Sequence, residues 1–291
     1  MAEKICIFTD SAADLTPEQA ARWNIEIAPL RVLVDGQTYL EHFEITPEQY
    51  WEKLDNCTEF PQTSQVSMEH FLNLYKKAKE SGCTHCIGIL INSTGSGTYQ
   101  AACITRDMFY DEAGEDMVIE IIDSHCYSFT YGAVAVRGAK MREEGKSFRE
   151  ISAEMNSLAK GMKAYVGIYN LKFLRKSGRI SGGAAFVGDA LGLRPIARVF
   201  DGAVTVMNKV RGDKAVAAKL AALAAQDAVD KEHQTAYVAY AAVSEEQIAL
   251  LEKKLLEQGF GGIERIPLGV MVTTNTGPHA LGVIFRGAPR E

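Results

Sequence analysis

The stretch that most constrains the fold is Ile87-Gly88-Ile89-Leu90-Ile91-Asn92-Ser93-Thr94-Gly95-Ser96-Gly97-Thr98-Tyr99-Gln100. An unbroken apolar run gives way to small hydroxyl residues and glycines, and a helical pattern resumes from about Thr98. A run apolar on both faces needs cover on both faces. Strand, glycine-rich turn and helix in succession form the unit of a parallel α/β sheet, which binds ligands at the carboxyl ends of its strands. The first amides of such a helix have no intrahelical acceptor, and the helix dipole favours an anion there. Ser93, Thr94, Ser96 and Thr98 add hydroxyl donors, and Gly95 and Gly97 let a ligand approach the backbone. Two readings stand: a receptor for a carboxylate or phosphate, or an ordinary strand-to-helix turn with Thr98 or Ser96 as N-cap.

The surrounding chain repeats the unit. Ile5-Cys6-Ile7-Phe8 runs into the polar Thr9-Asp10-Ser11, and Val118-Ile119-Glu120-Ile121-Ile122 ends at Asp123-Ser124. Thr16-Pro17-Glu18-Gln19 and Thr46-Pro47-Glu48-Gln49 each offer an N-cap threonine, proline at the first helical position and glutamine at the third, so both predict helix starts. Ser67 suits the cap of a helix to about Ser81, Tyr131 to Glu144 reads as helix, and Ser147-x-x-Glu150 opens another. Residues 60–67 read as a hydroxyl- and amide-rich loop. Thr9-Asp10-Ser11-Ala12 lacks the second aspartate of a phosphatase loop, which leaves a binding or structural role.

Strands alternating with helices imply a parallel sheet covered on both faces. The second half differs. Tyr165-Val166-Gly167-Ile168 suits a strand and Leu171 to Ser177 a helix. Asp201-Gly202, between two β-rich runs, is a hairpin signal. An Ala-rich helix (215–228), a strand (235–242), a helix capped by Ser244 with Gln247, and strands near 263–266 and 281–285 follow. The expected fold class is α/β in two domains. Residues 1–160 carry a parallel sheet with helices on both faces, and residues 161–291 form an α+β domain with a mixed or antiparallel sheet.

A chain of 291 residues, 47 % apolar, can bury such cores. Its net charge of −6 argues against general nucleic-acid binding. Between Lys172 and Lys214, however, nine Lys or Arg face three Asp, a local excess of six positive charges. Such a zone suits docking of something anionic, or is simply a solvated basic face. The six cysteines have no framework spacing, and Cys83-x-x-Cys86 lacks a second ligand pair, so no metal is expected. No secretory signal precedes the first strand, and no run reaches the roughly 18 apolar residues of a membrane span, with at most transient membrane contact expected. A cytoplasmic location with reduced thiols follows.

Catalytic patterns fail. Gly145-Lys146-Ser147 has no glycine in P-loop register, Ser96 has no Gly-x-Ser-x-Gly elbow, and His42, His70, His85, His233 and His279 are scattered. What remains, hydroxyl donors after strands and glycine-rich turns, suits holding an anionic head group. Affinity would come from apolar burial, roughly 0.8 kcal/mol per methylene, or about ten kcal/mol for a long acyl tail before association costs.

Several separated motifs, in order, resemble the DegV family of bacterial fatty-acid-binding proteins along nearly the whole chain. They are Thr9-Asp10-Ser11-Ala12-Ala13-Asp14-Leu15, Gln62-Thr63-Ser64-Gln65-Val66-Ser67 and Ser96-Gly97-Thr98-Tyr99-Gln100. Further on come Leu171-Lys172-Phe173-Leu174-Arg175-Lys176-Ser177-Gly178-Arg179-Ile180-Ser181, Asp201-Gly202 and Thr276-Gly277-Pro278. The resemblance implies two α/β domains with a long-chain fatty acid between them and no cofactor. It also implies a carrier subunit that presents the carboxylate to a separate ATP-dependent fatty acid kinase, the acyl phosphate entering phospholipid synthesis. By position, Thr63 and Ser96 would hydrogen-bond the carboxylate with Ser64 adjacent, and Arg175 and Arg179 would face the head group or the kinase. Asn275 stands where the family commonly has histidine, and His279 where it commonly has glycine. The alternatives are a hydrolase or transferase with Ser96 as nucleophile, and an interaction module using the basic face 172–214.

Overall fold

The computed structural model describes residues 3–170, 173, 176, 178 and 192–290. The first elements are β1 (Ile5–Asp10), a 3-10 turn (Ser11–Ala13), α1 (Pro17–Arg22), β2 (Ile25–Ala28), β3 (Arg31–Val34), β4 (Gln37–Leu40), α2 (Pro47–Asn56), β5 (Gln62–Ser64) and α3 (Met68–Glu80). Then come β6 (His85–Leu90), α4 (Thr98–Ala113), β7 (Val118–Asp123), α5 (Phe129–Glu143), α6 (Phe148–Gly161) and β8 (Met162–Ile168). After the hairpin β9 (Leu193–Phe200) and β10 (Ala203–Arg211) follow α7 (Lys214–Asp227), β11 (Thr235–Ala241), α8 (Glu245–Glu257), β12 (Gly262–Pro267), α9 (Val270–Thr276) and β13 (Ala280–Arg286).

Helix starts follow local chemistry. Thr16, Thr46, Ser147 and Ser244 each close a reciprocal capping box with the side chain three residues on, and Ser67 caps α3. At the start of α4 the expectation needs correction. Gly97 occupies the cap with no side-chain cap bond, so neither Ser96 nor Thr98 is the N-cap. The hairpin forms as Asp-Gly predicts, with positive φ at both Asp201 (50°) and Gly202 (73°). The helix expected over 171–177 lies largely outside the described residues.

β2-β1-β6-β7 make an all-parallel sheet, with α3 and α4 packed together and α5 beside α6. β10-β9-β8-β13-β11-β12 make the second sheet, antiparallel except at β11–β12. A third sheet, β4-β3-β5, was absent from the sequence expectation, since residues 62–64 read as loop and instead pair antiparallel with β3.

The second sheet is apolar on both faces, as period-2 alternation allows. Tyr165 of β8 and Leu281, Val283 and Phe285 of β13 pack with Val216 and Leu220 of α7 and Leu251 of α8. The intervening Ala164, Val166, Ile168 and Ile284 share a core with the first sheet. Further ties cross between the two sheets' territories. Tyr50 and Thr274 hydroxyls meet at 2.6 Å, the Trp51 indole donates to the Leu268 carbonyl at 3.0 Å, and Phe129 and Tyr237 rings meet at 4.8 Å. Asn92, fully buried, donates to Gly202 O at 3.0 Å, and Gly202 N donates to His125 O at 2.6 Å, which fixes the hairpin tip.

Gly88 of β6 has a steric reason to be glycine. A Cβ there would overlap the Phe8 ring, itself held edge-on by Phe71 and Tyr75. Gly88→Ala should destabilise the fold by about 2 kcal/mol through overpacking, read as a lower denaturation midpoint with unchanged m-value.

Candidate functional site

A cavity of about 440 Å³ lies between the first and second sheets. One part of its wall is aliphatic: Ile91 after β6, Val166 and Ile168 of β8, Val199 of β9, Leu268, Met271 and Ile284. The rest is polar. Thr63 and Ser64 come from β5, Ser96 from the turn before α4, Ser128 from the start of α5, and Asn275 and Thr276 from α9. The structure therefore brings together four residues singled out from sequence, Thr63, Ser64, Ser96 and Asn275, although they lie on three separate elements. Arg175 and Arg179 lie outside the described residues.

Other expectations change. Ser93 and Thr94 do not line the cavity. The Ser93 amide donates to Asp123 Oδ1 at 3.1 Å and the Thr94 hydroxyl to Asn92 Oδ1 at 3.1 Å, so both serve the turn itself. Gly95 and Gly97 line the cavity and also make room for the protein's own side chains. A Cβ at Gly95 would overlap the Tyr127 hydroxyl, and one at Gly97 the Gln65 amide. Tyr127 and Gln65 themselves line the cavity. The Ser96 hydroxyl sits 3.0 Å from that of Thr98, which is neither a base nor an acid at neutral pH. Asn275 Nδ2 donates back along α9 to Met271 O at 2.6 Å.

α9 forms the remaining wall, and its position depends on buried carboxylates that sequence reasoning did not place at the site. Asp14 Oδ1 accepts the Gly269 amide at 3.0 Å and Glu41 Oε1 the Met271 amide at 2.9 Å. Asp14 Oδ2 accepts the Ser128 hydroxyl at 2.5 Å, and Glu41 Oε2 the Ser11 hydroxyl at 2.7 Å. Asp10 accepts from Tyr131 at 2.6 Å and from the Ile91 amide at 2.8 Å. Gly269 must be glycine, because a Cβ would come within 2.9 Å of Glu41 Oε1 and overlap Asp14.

Among the described residues no cation pairs with these three carboxyls. Burial, only partly offset by donated hydrogen bonds, pushes Asp10 up to about 6 and Glu41 to about 7. Asp14 is driven well above the carboxylate range, first by burial and then by the charge of Glu41. The folded state thus holds protons that the unfolded chain, with values near 4, gives up. Stability from Asp10 and Glu41 is full below about 4 and is lost as pH rises through 6 to 7. Denaturant titrations should show a midpoint that falls between pH 5 and pH 8. Glu41→Gln, which cannot ionise, should flatten that fall.

A family model described as "Uncharacterised protein, DegV family" matches residues 4–287. A DegV domain-containing protein of Clostridium acetobutylicum is 35 % identical over 283 residues, 97 % of this chain and 98 % of its own length. Two solved structures share the architecture. That of a DegV family protein from Thermus thermophilus, which describes its fatty acid binding, superposes with a TM-score of 0.87 at 29 % identity, over 98 % of this chain and 100 % of that one. That of DegV, a fatty acid binding protein from Bacillus subtilis, gives 0.82 at 26 % identity, over 99 % and 100 %. With a family model matching residues 4–287 and a relative 35 % identical over 97 % of the chain, this chain belongs to the DegV family.

Proposed function

We propose that the cavity takes up one long-chain fatty acid, between a unit of residues 1–160 and a unit of residues 161–291. The observation that carries this is the make-up of the wall. Thr63, Ser64, Ser96 and Asn275 stand on the same 440 Å³ space as a broad aliphatic surface, within the roughly 300–1,000 Å³ usual for small-molecule sites. Hydroxyl and amide groups orient an anionic head. The aliphatic wall supplies affinity at roughly 0.8 kcal/mol per buried methylene, from which association costs are subtracted. The Thermus and Bacillus relatives, described as binding fatty acids, support the same ligand class.

In this reading Thr63 and Ser96 donate to the carboxylate, with Ser64 and Asn275 beside it. The chain acts as a carrier without catalysis of its own. It presents the carboxylate to an ATP-dependent kinase subunit that forms the acyl phosphate for phospholipid synthesis, with Arg175 and Arg179 toward the head group or that partner. Among the described residues no helix is long and apolar enough to cross a membrane.

Native mass spectrometry of freshly purified protein, with solvent extraction of what is released, tests the reading. One retained long-chain acid is expected, and Thr63→Ala/Ser96→Ala should reduce its occupancy at least tenfold, as losing two charge-assisted bonds implies. Protein that stays apo after incubation with several fatty acids would sink the proposal. Asn275→His, by adding a group that can carry positive charge, should tighten acid binding in a displacement titration, more at pH 6 than at pH 8.

A further inference from the structure

Thr98 begins α4, is completely buried, and is not among the residues that line the cavity. Its hydroxyl nonetheless joins two segments that do. Thr98 Oγ1 accepts the Val66 amide at 3.4 Å, two residues past the lining Ser64, and stands 3.0 Å from Ser96 Oγ. Ser96 Oγ also accepts the Thr98 amide at 3.3 Å.

Proton positions follow from this pairing. A buried hydroxyl proton needs an acceptor, and among the described residues the one beside Thr98 is Ser96 Oγ. When Thr98 donates, Ser96 Oγ accepts twice, from the Thr98 N–H and O–H, and both its lone pairs are occupied. Its own proton is then directed away from Thr98, on a residue that lines the cavity. The reverse orientation, Ser96 donating to Thr98, strands the Thr98 proton inside the protein.

We propose that Thr98 is a positioning residue that fixes the Ser96 hydroxyl as a donor-only group, and thereby makes the cavity select an acceptor-only head group, a carboxylate, over a neutral alcohol of the same chain length. The inference rests on the carrier reading above and assigns the source of its head-group specificity. A carboxylate brings only acceptors and makes a charge-assisted bond to a fixed donor. An alcohol brings its own proton, for which a donor-only Ser96 has no lone pair.

The test is competitive displacement of a fluorescent fatty acid by hexadecanoate and by hexadecanol. Wild-type protein should favour the acid. Thr98→Val, which keeps the shape and removes the hydroxyl, should lower the acid-over-alcohol ratio about tenfold, the loss of one oriented hydrogen bond. Thr98→Ser should restore the ratio. Thr98→Ala is measured alongside, so that poor folding of one variant leaves the other to decide, and thermal melts check both. An unchanged ratio, or an equal loss of both ligands, overturns the inference, since a purely structural role weakens acid and alcohol alike. Wild-type protein that binds neither ligand overturns the carrier reading itself.

Discussion

Two carboxylates with no cationic partner among the described residues, Asp14 and Glu41, hold the amides of Gly269 and Met271, and the wall of the cavity depends on that grip. Both are buried beside each other, which is costly for charges and explains why burial raises their proton affinities. The cost is offset by four donors converging from three places: Ser11 after β1, Ser128 before α5, and the two amides at the start of α9. Ser11 in turn accepts the Leu30 amide, tying in the short link between β2 and β3. A network satisfied this fully fixes one geometry, because each member would lose its partner if α9 shifted.

The second constraint is the sheet that contains β8 and β13. Its strands alternate so that one face serves α7 and α8 while the other faces the parallel sheet. The cavity sits on that inner face, where Val166, Ile168 and Ile284 present branched aliphatic groups, and the hairpin β9–β10 extends the wall with Val199 and Val204. Anchoring of the hairpin tip by Asn92 means that the turn after β6 does two things at once. It shapes the polar wall through Ser96, and it locks the second sheet to the first.

In the carrier reading proposed above, the head group meets donors that are already held in place. Thr63 is held by the pairing of β5 with β3, Ser96 by Thr98, and Asn275 by α9, whose N-terminus the carboxylates hold. Backbone and side-chain groups held before a ligand arrives lower the ordering cost of binding it.

Much of this was legible in the order of residues. Apolar runs of four or five residues, capping boxes and an Asp-Gly turn act over a few positions, so they specify strands, helix starts and the hairpin without reference to anything distant. The motifs also pointed to Thr63, Ser64, Ser96 and Asn275, which the fold gathers on one cavity. Three features depended on contacts far apart in the chain. Residues 62–64 are a strand only because β3 offers an edge to pair with. Val270–Thr276, rich in β-branched residues with low helix propensity, is a helix whose first amides are held by Asp14 and Glu41 more than two hundred residues earlier. The space beside Gly95 and Gly97 is filled by Tyr127 and Gln65, which no local pattern places there. The sequence by itself determined most of the strands and helix starts and named the candidate donors. Tertiary structure decided where the donors sit, because the burial of hydrogen-bonded carboxyls and the packing of one sheet between two cores are properties of the whole chain.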